Sequence, residues 1–181
     1  MKPKNLGRGI ATDAQTIQLR PGIYNLTFFV RDDSHKRVGS WRFLDTLETY
    51  SEEGVSLSDL TVAVQISLDL PLQAGRFRRS GLVIAPNPSR TFLRKQPIYV
   101  YFEIYGLKLD ENGVAHCRVT YTLDPKSKKR TGFLGLFGSR PGKVSVVNEF
   151  EPSSSDTPIY TALDVSRFGA GDVELQVEVT D

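Results

Sequence analysis

Apolar and polar residues alternate with period two along most of the chain, the signature of strands that turn one face to a core and the other to water. Leu60, Val62, Val64, Ile66 and Leu68 share one face of a segment whose other face carries Thr61, Ala63, Gln65, Ser67 and Asp69. Further on, Val173, Leu175, Val177 and Val179 alternate with Asp172, Glu174, Gln176 and Glu178. One face of that segment is wet, as in an antiparallel sheet with a solvated side. The stretches 97–108 (PIYVYFEIYGLK) and 115–124 (AHCRVTYTLD) flank Asp110-Glu111-Asn112-Gly113. Asn-Gly is a strong hairpin signal, because both residues tolerate positive φ. More strands are predicted near 22–31, 38–47, 81–85, 143–150 and 158–165. Helical periodicity is weak, and Thr46–Glu53 is the best candidate for a turn of helix. Many short strands separated by Gly- and Pro-containing turns predict an all-β protein, an antiparallel immunoglobulin-like β-sandwich with additional N-terminal strands.

An internal repeat bears on the domain organisation. Residues 21–32 (PGIYNLTFFVRD) and 170–181 (AGDVELQVEVTD) align at an offset of 149, with Gly22/Gly171, Leu26/Leu175, Val30/Val179 and Asp32/Asp181 identical. Tyr24/Val173 and Phe28/Val177 keep the apolar face. The unit is a glycine turn feeding an alternating strand. The segment 55–181 holds about seven predicted strands, enough for one sandwich. The segment 1–50 holds about three, so it is either the end of a preceding module or an addition to the same sandwich. In the first case its strand edges need cover, since bare edges invite aggregation.

Composition narrows the chemistry. The 181 residues suffice for one domain with a sizeable core. Twenty-three basic and 21 acidic residues give a net charge of +2, too balanced for a nucleic-acid footprint spread over the surface. The single cysteine, Cys117, excludes an intrachain disulfide framework and a cysteine-cluster zinc site. The basic start MKPKNLGRGIATDAQ has no apolar stretch after it and does not read as a secretory signal peptide.

Four stretches carry a family resemblance: RPGIYNLTFFVRDDSHKRVG (20–39), VSLSDLTVAVQI (55–66), APNPSRTF (85–92) and PIYVYFEIYGLKLDENGVAHCRVTYTL (97–123). Together with DVSRFGAGDVELQVEVTD (164–181) they resemble the C-terminal, immunoglobulin-like β-sandwich region of bacterial GWxTD-domain proteins. YVYFEIYGL is the most specific part. The Gly-Trp-x-Thr-Asp motif itself is absent, and the sole tryptophan, Trp41, sits in GSWRF. The resemblance implies no catalytic residues or cofactor. For a piece of a longer precursor it implies a periplasmic or envelope-associated bacterial protein.

No catalytic set stands out. A Gly-x-Ser-x-Gly elbow is missing, and Ser139 has no assigned base. His116 and Cys117 are neighbours on one predicted strand, point to opposite faces and cannot share a metal. Cys117 joins Val119, Tyr121 and Leu123 on one face, which reads as a buried structural thiol. Asp32-Asp33-Ser34 and Asp110-Glu111-Asn112-Gly113 lack the spaced oxygens of a calcium loop and read as turns. No glycine-rich phosphate loop opens a helix. Neither a metal nor a cofactor is expected.

Two features suit binding. Ile98, Val100, Phe102 and Ile104 form the obvious core face, leaving Tyr99, Tyr101, Glu103 and Tyr105 as an aromatic strip with a carboxylate in it. Such a strip stacks sugars or anchors a protein. The plainer alternative is burial against residues 1–50 or a neighbouring module. The second feature is the loop 125–143, with Lys126, Lys128, Lys129, Arg130, Arg140 and Lys143 around Phe133, Leu134, Leu136 and Phe137. Cations beside apolar groups suit an anionic membrane surface or an acidic partner. The plainer alternative is a hairpin tip whose Phe and Leu fold back on the sandwich. The expected function is a non-catalytic accessory or protein-interaction module with a protein partner or adjacent domain. The alternatives are a carbohydrate-binding module using the tyrosine face and a hydrolase domain with an unrecognised site.

Overall fold

The computed structural model describes residues 16–50, 54–68, 77–126 and 142–181. Eleven strands and no helix occur among them, and every strand pairing is antiparallel. The chain divides into two units, residues 16–51 and the remainder.

The smaller unit is a hairpin of β1 (Gly22–Asp32) and β2 (Arg37–Leu47), paired over their whole length. Asp32 builds the turn. Its carboxylate accepts the Ser34 and His35 amides at 2.9 and 3.2 Å and contacts His35 Nδ1 at 2.7 Å. These contacts, the His35 ring first, hold its pKa below the usual value. The helical turn expected at Thr46–Glu53 is not found over its described part: β2 runs on to Leu47, residues 48–50 are not helical, and residues 51–53 lie outside the described residues. Thr46 keeps its pairing with Ile23, so the sheet ladder overrides weak local propensity.

In the larger unit, β3 (Ser56–Leu57), β4 (Thr61–Leu68), β5 (Phe77–Arg79), β6 (Leu82–Pro86), β7 (Ile98–Tyr105) and β10 (Thr157–Leu163) form one sheet. Its order is β10-β7-β4-β6-β5, with β3 also on β7. The other sheet has the order β11-β8-β9, from β8 (Cys117–Lys126), β9 (Val144–Phe150) and β11 (Asp172–Thr180). The two sheets share one core. Val100, Phe102 and Ile104 of β7 meet Cys117, Val119, Tyr121 and Leu123 of β8, with Ile159 and Leu163 of β10 beside them. Phe102 and Tyr121 meet edge to face, centroids 6.3 Å apart, a favoured aromatic geometry. Burial pushes the Tyr121 hydroxyl up to about 12.

Two expectations need correction. The Asp110–Gly113 turn forms, with Asp110 Oδ1 accepting the Asn112 and Val114 amides and Gly113 at φ 76°. The strands it joins are not a hairpin, however. β7 pairs with β3, β4 and β10, whereas β8 pairs with β9 and β11, so the connection crosses between sheets. Both strands bury a full apolar row, and stacking those rows face to face hides more surface than pairing the strands edge to edge. The second correction concerns β4, whose register shifts between Ala63 and Gln65. This bulge breaks the alternation: Ala63 and Ile66 are both buried, while Val64 and Leu68 are exposed.

Candidate functional site

The face of β7 opposite the core carries Tyr99, Tyr101, Glu103 and Tyr105, as the alternation requires. It is not an open strip. Tyr101 and Glu103 are buried and Tyr99 and Tyr105 half-buried. The cover comes from the same sheet. Past its bulge, β4 continues into pairing with β6, and Ala63, Ile66, Leu82 and Ile84 close over Tyr101, with Phe77 and Tyr99 at the margin.

Glu103 is the centre of this face and is only 9% exposed. Arg79, at the end of the three-residue β5, grips both carboxylate oxygens. Its Nε donates to Oε1 at 2.7 Å and its Nη2 to Oε2 at 2.6 Å. The Tyr101 hydroxyl donates to Oε1 at 2.5 Å, Ser80 Oγ donates to the same oxygen at 3.3 Å, and the Tyr105 hydroxyl donates to Oε2. Ser58 completes the arrangement from the backbone side: its Oγ accepts the Glu103 amide at 2.9 Å, and its amide donates to the Glu103 carbonyl at 2.9 Å. Burial alone raises a carboxyl pKa, but the hydrogen bonds from Arg79, Tyr101 and Tyr105 outweigh it and bring Glu103 down to about 2. Burial and the Glu103 carboxylate together push Tyr101 up to about 12, and the carboxylate raises Arg79. An ionised carboxylate with every lone pair engaged, held by Arg79, Tyr101, Tyr105 and Ser80, makes a clasp between β5 and β7. Such a clasp has no acceptor left to offer a ligand.

Of the basic-apolar loop, only Lys126 and Lys143 lie among the described residues. Lys143 is exposed, and Lys126 bridges Asp124 at 3.0 Å and Glu174 at 2.6 Å. Lys128, Lys129, Arg130, Phe133, Leu134, Leu136, Phe137 and Arg140 lie outside the described residues.

A groove of about 370 Å3 runs past His116, Arg118, Glu149, Glu151 and Asp181. Its one arginine is already paired, and its histidine lies between two carboxylates. Arg118 reaches Glu149 at 3.0 Å, and His116 lies 3.7 Å from Asp110 and 3.6 Å from Glu151. Cys117 on this groove is buried, which together with the Asp181 charge raises its thiol pKa and keeps it unreactive. Among the described residues, no group of three His, Cys, Asp or Glu side chains could hold a metal ion.

The open surface lies on the hairpin, which sequence reasoning did not single out as a site. The register pairs Leu26 with Phe43 and Phe28 with Trp41. Directly paired residues share a face, so Tyr24, Leu26, Phe28, Val30, Trp41, Phe43 and Leu47 form one apolar strip. Phe28 and Phe43 stack at 5.8 Å and 2°, and Trp41 tilts onto Phe43 at 4.8 Å. Trp41 is 67% exposed and Phe28 49%. The other face adds Ile23, Phe29, Val38 and Leu44, all largely exposed among polar neighbours. The signal was present in the sequence as two apolar alternations around Asp32-Asp33-Ser34, but only the pairing register shows that their aromatic residues converge.

Searches of family models, of curated proteins and of solved structures return no match to the chain.

Proposed function

We propose that this chain is a non-catalytic, immunoglobulin-like interaction module whose partner covers the aromatic strip of the hairpin. The strip carries the reading. A two-stranded hairpin is marginal in water, and a strip that carries Arg37 and Asp45 on the same face as Trp41 has the composition of an interface core. The rings stack on one another instead of lying as separate flat platforms, which favours burial in a protein interface over stacking on sugars.

The strand order supports the immunoglobulin-like reading. β4, β7 and β10 correspond to strands A, B and E of that plan, and β8, β9 and β11 to C, C′ and F. The resemblance to GWxTD-domain proteins makes an envelope-associated bacterial protein the expected setting.

The test places a photo-activated cross-linker at Leu26 and, separately, at Asn25 on the opposite face. With extract of the source cell, Leu26 is expected to give a discrete protein adduct that Phe28→Ser/Trp41→Ser eliminates, and Asn25 is expected to give none. Affinity electrophoresis through polysaccharide gels is the counter-test. Retardation that disappears in the same double variant would establish the carbohydrate reading in its place.

A further inference from the structure

The larger unit ends its two sheets on four edge strands, and three of them are guarded. β5 has only three residues, two of them arginines. β10 carries Pro158, which has no amide to offer. β9 sets Asn148 in its inward row, between Val146 and Phe150. β11 is neither short nor broken by proline, its inward row is wholly apolar, and its charges, Asp172, Glu174 and Glu178, all lie on the outward face. It is nine residues long, without Gly or Pro, and among the described residues only β8 pairs with it. A long unguarded edge is a template for another strand.

Its two faces define what fits. The inward row, Val173, Leu175, Val177 and Val179, packs on the shared core yet stays only half-buried. The row opposite it on β8, Val119, Tyr121 and Leu123, is buried to 3% exposure or less. Burial falls off because, among the described residues, no strand pairs with the outer edge of β11. The outward row is Asp172, Glu174, Gln176 and Glu178. Lys126 answers Glu174, and no ion pair reaches Asp172 or Glu178 among the described residues. The immunoglobulin plan places a strand beside F, the position of β11.

We infer that the free edge of β11 receives an extended strand from a partner protein, with apolar residues alternating with basic ones. The apolar side chains complete the core beside Val173, Leu175, Val177 and Val179. The basic ones lie along Asp172, Glu174 and Glu178. This is recognition by strand addition, where backbone hydrogen bonds give affinity and alternate side chains give specificity. The edge shares no residue with the hairpin strip, so either proposal can fail alone.

The probe is a fluorescent nine-residue peptide, Thr-Val-Lys-Val-Thr-Val-Lys-Val-Lys, titrated onto the full chain and followed by hydrogen exchange. Saturable binding is expected, with protection gained over 172–180. Methylating the peptide amides on one alternate set is expected to abolish binding, and methylating the other set to leave it intact, because only one edge of the peptide faces β11. Glu174→Lys/Glu178→Lys, both on the solvent face, is expected to weaken binding about ten-fold or more. A peptide with Glu in place of Lys should recover it. No saturable binding up to about 1 mM, protection located elsewhere, or equal effects of the two methylation patterns would overturn the assignment.

Discussion

Replacing Glu103 by alanine is expected to destabilise the larger unit by about 3 kcal/mol and lower its melting temperature by about 10 °C. The cost arises from what is left behind more than from what is removed. The buried Tyr101 hydroxyl and the half-buried Tyr105 hydroxyl lose their acceptor, and Arg79 loses both of its carboxylate contacts. Because Arg79 is itself 46% exposed, water takes up part of its charge, which keeps the loss at the low end for a broken buried pair. Glu103→Gln retains one acceptor and is expected to cost about half as much. Acid sensitivity follows from the same contacts. The unfolded chain protonates this carboxyl near 4.5, whereas the folded chain holds it ionised to about 2. A folded-state pKa below the unfolded one stabilises at any pH above about 4.5, and that contribution is lost as pH falls toward 2. It amounts to at most about 3 kcal/mol. Urea titrations of the parent chain and Glu103→Gln between pH 7 and pH 2 check this: their stabilities should converge toward pH 2. Asp32 and Asp110 also have lowered pKa values, but they are common to both proteins and cancel in the comparison.

Phe102→Ala is expected to have the largest effect on stability, about 4 kcal/mol. Phe102 is fully buried where the two sheets meet, edge-on to Tyr121, and its removal opens a cavity between β7 and β8 that neither rigid sheet can close. Phe102→Leu keeps most of the volume and is expected to cost about 1.5 kcal/mol. Equilibrium denaturation of the two variants measures the difference. Near-equal small losses would mean that the sheets do not share a close-packed core at this point.

The strands were legible because each carries its own period-two pattern, and β1, β2, β6, β9 and β10 begin and end within two residues of where that pattern places them. The buried row of β7 and the inward row of β8 were equally legible, since Ile98, Val100, Phe102 and Ile104 on one strand and Cys117, Val119, Tyr121 and Leu123 on the other each form an unbroken apolar alternation. What the pattern lacked was pairing. Asn112-Gly113 makes the same tight turn whether the strands beside it pair or part into two sheets, so the local signal was right and the connection wrong. The bulge at Ala63/Gln65 shifts the faces of β4 by one residue, which composition cannot register. The tyrosine face was identified correctly as a face, but its cover was not. Arg79 lies on a three-residue strand too short to show any period, and it stands 24 positions from the glutamate it holds. The hairpin strip was hidden for a related reason. Phe28, Trp41 and Phe43 meet only across the strand register, and no segment on its own contains the surface they form.

The central claim is that the tyrosine face is sealed while the hairpin strip is open to a partner. The single tryptophan makes this measurable without any label. Acrylamide quenching of Trp41 in the isolated chain, run beside nitration of its tyrosines with peptide mapping, reads both surfaces in one preparation. The expected result is an indole quenched nearly as freely as a tryptophan in a short unfolded peptide, with Tyr101 left unmodified under conditions that nitrate Tyr160, which is 48% exposed. A protected Trp41 together with a readily nitrated Tyr101 would contradict it, and would return the tyrosine face to first place as the binding surface.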